Sequence, residues 1–485
     1  MIWMFLTILL VLAAFVLYCL NNAWKLQPTP AKDAMPPAVD VTRARRYAEK
    51  LSEMVRIPTV SSRFDQDMEP FYAFRECVKE LFPLVHEKCQ VSYPGDALVY
   101  YLPARGTPVN DPILLMSHHD VVAAPRDGWE KDPFCGEIDE QGRVWGRGTV
   151  DTKGSLMCAL QALEELLESG WEPEADVYIT SSCTEAWSGP SAPAVVDFLK
   201  EKGVHRGMLM DEGGMILQEP IAGVKGRYCM VGVLEKGYGD VKFIARSTGG
   251  HASAPKRNTP IPKLAKFICR VEKKNPFRVE FSPAVNAMFT GIAPYASNFG
   301  LRRVLANLWL FRPLLKKVMP LISAQAAAML RTTIAFTMQQ GSAGYNVLPQ
   351  EASVCANMRF IPHQGTDESI ALITELAKKY GLETEVIYKG YPSGSLDLNG
   401  EAFHLVEKAI ADVFPGVGVM PYVVTGGTDA RFYGEVCDSC VRFSPVCYGP
   451  EQMAGMHGLN ENIESGCLPS AVDYYKTVIL AQENR

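Results

Sequence analysis

The residue pair best suited to metal chemistry is His118 and Asp120, which follow a short apolar run. Residues two apart in extended backbone point to the same side, so the carboxylate can hold the second ring N–H of the histidine. This contact fixes the tautomer of a ligating histidine and raises its basicity. Asp151 lies further on, in a glycine-punctuated loop (residues 146–154) that opens a helix, and could bring a second carboxylate beside the first site. A lone histidine here would more often be a hydrogen-bonded strand-end residue, so the metal interpretation depends on the rest of the pattern.

Two further apolar runs end in acidic residues in the same way. The run 177–182 leads to Glu185, and the run 207–210 leads to Asp211 and Glu212. In an open α/β sheet, ligands bind at the carboxyl ends of the strands. Three buried strands that each end in a metal-type side chain therefore predict a metal site at this edge of the sheet.

The elements that must position these residues alternate between strand and helix patterns. Apolar strand-like runs and amphipathic helical stretches follow one another from Val41 to about Met210. This alternation predicts an α/β catalytic domain with a three-layer, mostly parallel sheet. The domain would take residues 41–230 and, after an inserted unit, residues 392–485.

The inserted unit, residues 231–391, has the alternating strands and separate helices of an α+β lid, a type of domain that also mediates dimerisation. Within it, residues 285–335 are rich in large apolar side chains and are typical of two or more amphipathic helices. Such stripes are more often core than surface, which favours an enlarged helical layer inside the domain. The alternative is a dimer face or a membrane-facing patch.

Composition excludes some classes of function. The chain has 485 residues, a net charge of −6 and well-mixed charges, so no surface for nucleic acid is indicated. Its thirteen cysteines are an odd number without a disulfide-type framework, which favours a reducing compartment.

The N-terminus predicts a membrane anchor. Residues 2–20 contain only Thr7 as a polar residue and are long enough to cross a bilayer. No basic residue precedes the segment, so a cleaved signal peptide is the lesser option. Basic residues follow it, and the positive-inside rule then places the catalytic part in the cytoplasm. We expect a transmembrane segment at 1–22 and a proline-rich linker at 23–40.

Five motifs together resemble the dizinc metallopeptidase family of aminoacylase, carboxypeptidase S and succinyl-diaminopimelate desuccinylase. The resemblance extends from about Val41 to the C-terminus, and the N-terminal membrane segment is similar to the carboxypeptidase S branch. The motifs are H-x-D at His118–Asp120, G-R-G-x-x-D-x-K-G at Gly146–Gly154, D-E-G at Asp211–Gly213, G-G-H-A-S-x-P at Gly249–Pro255, and H-G at His457-Gly458.

The resemblance implies two zinc ions, with cobalt or manganese as alternatives. His118, Asp151 and Asp211 would hold the first ion. Asp151 would bridge to a second ion that is held partly by His457. Oxygen and nitrogen ligands with an open position for water suit such a site.

The resemblance also implies the catalytic and substrate-binding residues. Asp120 would orient His118, and Glu185 would be the general base. His251 resembles the family's lid histidine, which stabilises the developing charge on the carbonyl oxygen. Asn346 and Arg359 resemble its pair of residues for the substrate carboxylate, which the planar fork of arginine matches.

The chain departs from the family at Ala186. The family has two adjacent acids, first the base and then a ligand of the second zinc, whereas this chain has Glu185-Ala186. In one register Glu185 is the base and the ligand is missing. In the other, Glu185 is the ligand and Thr184 stands at the position of the base. Either way one carboxylate is missing, which weakens the second metal site.

We therefore expect a zinc-dependent hydrolase that cleaves an amide bond next to a free carboxylate, in an N-acyl amino acid or a short peptide. The lid could also form a homodimer. The rival interpretation is a catalytically impaired, membrane-anchored relative that binds metal or acts as a scaffold. A phosphoesterase is a weaker rival, because no basic phosphate cradle is visible.

Overall fold

The computed structural model describes residues 2–26, 40–220, 223–224 and 226–483. The helices within these ranges are α1 (Ile2–Lys25), α2 (Val41–Val55), α3 (Glu69–Leu81), α4 (Pro83–Lys88), α5 (Lys153–Glu168), α6 (Ser191–Glu201), α7 (Pro260–Lys273), α8 (Pro283–Ile292), α9 (Phe299–Ala306), α10 (Leu308–Ile322), α11 (Ala324–Leu330), α12 (Thr366–Lys378), α13 (Glu401–Val413), α14 (Pro450–Gly455) and α15 (Leu468–Glu483).

The strands of the same ranges are β1 (Gln90–Ser92), β2 (Leu98–Leu102), β3 (Ile113–His118), β4 (Arg143–Trp145), β5 (Val177–Ser182), β6 (Gly207–Asp211), β7 (Met215–Gln218), β8 (Arg227–Glu235), β9 (Gly237–Arg246), β10 (Gly250–His251), β11 (Thr333–Gln340), β12 (Val347–Leu348), β13 (Glu351–Phe360), β14 (Glu383–Lys389), β15 (Gly418–Val424), β16 (Cys437–Arg442), β17 (Cys447–Tyr448) and β18 (Asn462–Glu464).

A large, mainly parallel sheet forms the centre of the fold. Its strand order is β1-β2-β5-β3-β6-β16-β8-β7-β17, and β15 also pairs with β8. β3 runs parallel to both β5 and β6, and β16 runs parallel to β6. The carboxyl ends of β3, β5 and β6 therefore meet at one edge of the sheet. This arrangement confirms the predicted α/β fold class.

Both faces of the central sheet are covered. In β3, Ile113 and Leu115 belong to one apolar cluster, together with residues of α5 and α15, whereas Leu114 and Met116 belong to a second cluster with residues of α6. Alternate residues of a strand point to opposite faces, so the two clusters are the two sides of the sheet. Each fully buried leucine contributes about 1.5–3 kcal/mol to stability. The result is the predicted three-layer arrangement.

A smaller antiparallel sheet lies within the range predicted as the lid. Its strand order is β11-β13-β9-β14, and α7 and α12 pack against it around a separate apolar cluster. Helices α8–α11 lie in the same stretch of sequence, but their buried residues, such as Val285 and Met288 of α8, join the core of the central sheet. Thus 283–330 packs with the catalytic part although it falls inside the predicted lid range 231–391.

Helix α1 is apolar and largely exposed. Among the described residues it is the one helix that is long and apolar enough to cross a membrane, a test that an N-terminal signal sequence also passes. It runs to Lys25, beyond the predicted segment 1–22. Most of the predicted linker 23–40 lies outside the described residues.

Candidate metal centre and active site

His118 is the last residue of β3 and the centre of a buried polar cluster. Its Nδ1 lies 2.9 Å from the backbone oxygen and 3.3 Å from Oδ1 of Asp120. Its Nε2 lies 3.1 Å from Asp151 Oδ1 and 3.5 Å from Glu212 Oε1. Ligand atoms of His118, Asp151 and Glu212 all lie within 4.8 Å of one another. One nitrogen and two carboxylate oxygens at this spacing fit a divalent cation.

Asp120 connects His118 to the loop that carries Glu185. Its fully buried carboxylate accepts hydrogen bonds from Ser61 Oγ, from the backbone N–H of Glu185 (3.1 Å) and from that of Ala186 (3.0 Å). Burial raises the pKa of Asp120, but the hydrogen bond with His118 and these other contacts lower it below its usual value. Asp120 is therefore placed to orient His118, and its oxygens are already occupied by donors.

Asp151 lies between two histidines. Its Oδ1 faces His118, and its Oδ2 is 2.7 Å from His457 Nε2. Burial raises the pKa of Asp151, but the hydrogen bonds with both histidines outweigh this effect and hold it below its usual value. A carboxylate that offers one oxygen to each of two imidazole ligands has the arrangement of a bridge between two cations.

Glu461 holds the loop that presents Asp151. It is fully buried and accepts from the backbone N–H groups of Gly148 (3.0 Å), Val150 (2.8 Å) and Asp151 (3.2 Å). It also accepts a hydrogen bond from the buried guanidinium of Arg147. Glu461 is thus committed to the loop. The sequence analysis gave it no part in holding this loop, and only its position beside the H-G motif could have suggested one.

The two adjacent acids at the end of β6 have different surroundings. Asp211, predicted as a metal ligand, accepts a hydrogen bond from the backbone N–H of Ala430 (3.0 Å). Its neighbour Glu212 faces His118 instead. Successive side chains of an extended backbone point to opposite sides, so only one of the pair is expected to enter the site. This geometry favours Glu212 over Asp211 as the candidate ligand.

This assignment predicts different effects for two equivalent changes. Glu212→Gln is expected to weaken metal binding at least about 100-fold. Removal of a residue that only hydrogen-bonds to a metal ligand already lowers metal affinity about 10- to 100-fold. Asp211→Asn keeps an oxygen for the Ala430 N–H and should retain the metal. Metal content after dialysis, measured by plasma mass spectrometry, checks both. Metal loss in the Asp211 variant alone would restore the original assignment.

Glu185 lies beside the cluster in a cavity of about 290 Å³ that Asp151, Glu212 and His457 also line. Its Oε2 is 3.8 Å from His118 Nε2. Burial raises the pKa of Glu185 well above its usual value, and the carboxylate of Glu212 adds to this effect. Burial and Asp151 similarly raise the pKa of Glu212 to about 7. The site therefore concentrates negative charge that a cation would neutralise.

Ala186 contributes only backbone to this site. It lies in the short turn Glu185–Trp187, and its N–H is used by Asp120. Asp151 and His457 lie at the expected second metal position, and Ala186 adds no carboxylate to them. Among the described residues, His118, Asp151 and Glu212 are the one group of histidine, cysteine and acidic side chains close enough to hold a metal.

The predicted lid residues do not all reach this cavity. His251 is exposed on β10, with Nδ1 2.8 Å from Ser253 Oγ, and Asn346 is exposed next to β12. Arg359 is more central: its guanidinium stacks on the ring of Tyr238, 4.7 Å from the centroid. Burial lowers the pKa of Arg359, while the nearby Tyr238 raises it.

Arg431 is a functional candidate that the sequence analysis left unassigned. Gly427 lines the cavity, and both Arg431 and Arg359 lie close to it. A Cβ atom placed on Gly427 would be 3.0 Å from Arg431 Nη1 and 3.5 Å from Arg359 Nη1. The Nε and Nη2 groups of Arg431 are buried without hydrogen-bond partners, and Asp429 Oδ1 is 3.9 Å away. The Nη1 group of Arg431 donates to the backbone oxygen of Thr428 at 2.9 Å. Two guanidinium groups thus lie close to Gly427.

The family follows from comparison with known proteins. Residues 114–481 match the family described as Peptidase family M20/M25/M40. The chain belongs to this family. Its predicted membership is thus confirmed, and M20 peptidases are hydrolases of amide and peptide bonds. The family also implies dependence on a metal.

Several curated relatives of this M20 peptidase match over most of their length. The N-fatty-acyl-amino acid synthase/hydrolase PM20D1 of Xenopus tropicalis is 32% identical over 441 residues, covering 90% of this chain and 85% of the relative. The probable carboxypeptidase S-like 2 of Dictyostelium discoideum is 29% identical over 457 residues, covering 92% and 86%. Carboxypeptidase S of Saccharomyces cerevisiae is 26% identical over 491 residues, covering 90% and 84%.

Solved structures share the fold of this M20 peptidase. The M20 family metallo-carboxypeptidase Sso-CP2 from Sulfolobus solfataricus matches with a TM-score of 0.67 at 17% identity, covering 90% of this chain and 99% of that one. Human carnosine dipeptidase 1 matches with a TM-score of 0.65 at 14% identity, covering 92% and 97%.

Proposed function

We propose that the protein is a zinc-dependent hydrolase that cleaves the amide bond next to a free carboxylate, in an N-acyl amino acid or a short peptide. The observation that carries this proposal is the buried group of His118, Asp151 and Glu212 with the carboxyl of Glu185 beside it. A cation site and a separate acid–base group in one cavity are the two parts that amide hydrolysis needs.

His118, Asp151 and Glu212 would hold the first cation, and Asp151 with His457 would hold a second one more weakly. A bound zinc supplies a water of lowered pKa and polarises the scissile carbonyl. Glu185 takes the proton from the attacking water and returns it to the nitrogen of the departing amine. Asp120 keeps His118 in one tautomer through this cycle, because it holds Nδ1.

Arg359 and Arg431 are proposed to bind the free carboxylate of the substrate. Both guanidinium groups approach Gly427 in the cavity wall, and Arg431 has buried N–H groups without partners. Folding has already desolvated these buried donors, so a hydrogen bond to an anion stabilises them more than it would stabilise donors exposed to water. Asn346 and His251 are exposed, so their proposed roles need movement of the lid or a second copy of the chain in a homodimer.

Arg359→Lys tests this substrate class. The change keeps the charge but loses the planar fork. We expect KM for N-acyl amino acids and dipeptides to rise about 10- to 100-fold, as the loss of one charge-assisted hydrogen bond of about 1.5–3 kcal/mol implies. Substrates with an amide-capped carboxylate should change little. Steady-state kinetics on both panels gives the comparison.

The matched control for this change is Arg278→Lys, an exposed lid arginine that pairs with Glu368. It should leave both substrate panels unchanged. Equal losses on free and capped substrates in the Arg359 variant would make Arg359 a structural residue. A wild type inactive on every substrate would refute the proposed hydrolase.

We further propose that α1 anchors the chain in a membrane with the catalytic part in the cytoplasm. The apolar exposed surface of α1, the basic residues that follow it and the thirteen free cysteines support this orientation.

The orientation predicts that protease added outside intact cells leaves the catalytic part uncut, because the membrane shields it. Cleavage should appear only after permeabilisation, and immunoblotting of the fragments reads this out. Cleavage in intact cells, or structural disulfides in the mature protein, would contradict the orientation.

The scaffold interpretation has less support than the hydrolase. Its basis is that Ala186 replaces an acid of the family. However, Glu185, Asp120 and the residues proposed to hold the first cation are all present. Curated relatives named as hydrolases or carboxypeptidases also favour an active enzyme.

A further inference from the structure

Helix α10 exposes apolar side chains along one face. Leu310, Leu314 and Val318 follow one another at intervals of four residues and so lie on one side of the helix. Leu321 and Ile322 extend this side and are 85% and 75% exposed. The exposed apolar residues of the helix, here called the α10 face, are Trp309, Leu310, Leu314, Val318, Leu321 and Ile322.

The polar side chains of α10 point mainly toward the protein. Arg312 Nη2 donates to Asn286 Oδ1 at 3.0 Å, and Lys316 pairs with Glu280. Leu315 and Met319 pack against the core, so α10 has apolar side chains on its outer side as well as on its inner side. Surface helices of proteins in water instead direct mainly polar and charged residues outward. Lys317 is exposed within the α10 face, but its long stem can lie on apolar surface while its charge reaches a polar layer. The arrangement indicates apolar surroundings outside α10.

The α10 face is continuous with the apolar helix α1. The ring of Phe15 packs edge-on against Trp309 at 6.1 Å between centroids. At the start of α10, Asn307 Nδ2 donates to the backbone oxygen of Cys19 (3.0 Å), and Asn22 Nδ2 donates to Asn307 Oδ1 (3.1 Å). Helix α1 therefore enters the protein at the level of α10.

The length of α1 fixes how close the membrane must come. Its side chains are exposed from Trp3 to Tyr18, while Cys19 and Ala23 are buried against the protein. At 1.5 Å per residue, the exposed part is about 24 Å long. The hydrocarbon core of a bilayer is about 30 Å thick. A bilayer that contains the whole exposed part must therefore reach the level of Phe15 and Trp309.

We propose that the α10 face is a membrane-docking surface, which inserts into the same bilayer leaflet at which α1 leaves the membrane. The inference rests on the proposed anchor. Trp309 then lies at the interface, where tryptophan is favoured, and Leu314, Leu321 and Ile322 enter the acyl region. The face is an interfacial amphipathic helix that lies in the membrane plane beside a spanning one.

Photocrosslinking of the full chain in lipid nanodiscs tests this surface. The discs contain phosphatidylcholine and phosphatidylglycerol, and Leu10, Leu314 and Leu372 are replaced in turn by p-benzoylphenylalanine. Leu10 is an exposed residue of α1, and Leu372 is an exposed apolar residue of the lid helix α12 that serves as the matched control. After irradiation, mass spectrometry should find lipid adducts at positions 10 and 314 and none at position 372.

Each other outcome counts against the proposal. An adduct at position 10 without one at position 314 would overturn the docking surface while leaving the anchor intact. A crosslink from position 314 to another copy of the chain would make the α10 face a dimer interface instead. Absence of adducts at position 10 would overturn the anchor and the docking surface together. Amide hydrolysis measured on the same samples reports separately on the proposed hydrolase.

Discussion

Glu185→Gln is expected to lower kcat by about 10²- to 10⁴-fold while the metal content stays at its wild-type level. Glutamine keeps the size of the side chain but cannot take a proton from water. The metal should remain, because the closest cation ligands are His118, Asp151 and Glu212. Turnover of an N-acyl amino acid, measured with the bound metal in the same preparation, gives both values.

The two possible registers around Ala186 make this a decisive experiment. If Glu185 is instead a ligand of the second cation, the Gln variant should lose metal together with activity. Glu76→Gln is a suitable control, because Glu76 is an exposed acid on α3 that pairs with Lys79. It should change neither quantity.

Ala186→Glu is expected to raise turnover by up to about 10²- to 10³-fold and to increase the bound metal toward two ions per chain. The expected second position has Asp151 and His457 but no acid at residue 186, next to Glu185. A second cation held there would add electrostatic stabilisation of the kind whose loss commonly costs about 3–4 kcal/mol. Metal stoichiometry and kcat, measured on the same sample, test the expectation.

Ala186→Gln is the matched control, since it adds a side chain of equal size without charge. It should leave metal content and turnover near the wild-type values. If Ala186→Glu also changes neither, another group already completes the second site and the register is wrong. Activity that is absent in the wild type and appears only in the Glu variant would favour the catalytically impaired relative.

The part of the candidate site that depends on local geometry was predictable from the sequence. Asp120 follows His118, the last residue of β3, by only two residues, so their spacing was enough to bring them together. The choice between Asp211 and Glu212 depends instead on Ala430, which comes from a distant part of the chain and binds Asp211. Sequence spacing alone contains no information about that contact.

Arg431 shows a related limit. The glycines at 426 and 427 are typical of a loop, but nothing in the sequence pattern predicts a guanidinium with unpartnered N–H groups. That property arises because the loop, Arg359 of the lid and the central sheet meet in three dimensions. Long-range assembly of this kind cannot be derived from periodicity.

The fold was predictable because strand and helix patterns alternate, whereas the helices in residues 285–335 were only half predictable. Their amphipathic character was correct, but α8 packs into the core of the central sheet and not into that of the inserted domain, where it was expected. Helix α10 exposes further apolar side chains on its outer side. The periodicity of a helix defines two faces but does not say which of them meets the protein.

Helix α10 leads directly into the wall of the candidate site's cavity. Gln325 of α11 follows Ile322 by three residues, lines the cavity and donates to the hydroxyl of Tyr422 at 2.8 Å. An enzyme docked through α10 would hold its cavity next to the bilayer and meet membrane-dissolved substrates by lateral diffusion in two dimensions. Each methylene group adds about 0.8 kcal/mol to partitioning, so two of them enrich a substrate roughly tenfold at that surface. The length of the substrate's apolar chain would then determine its local concentration before any contact in the cavity distinguishes one substrate from another.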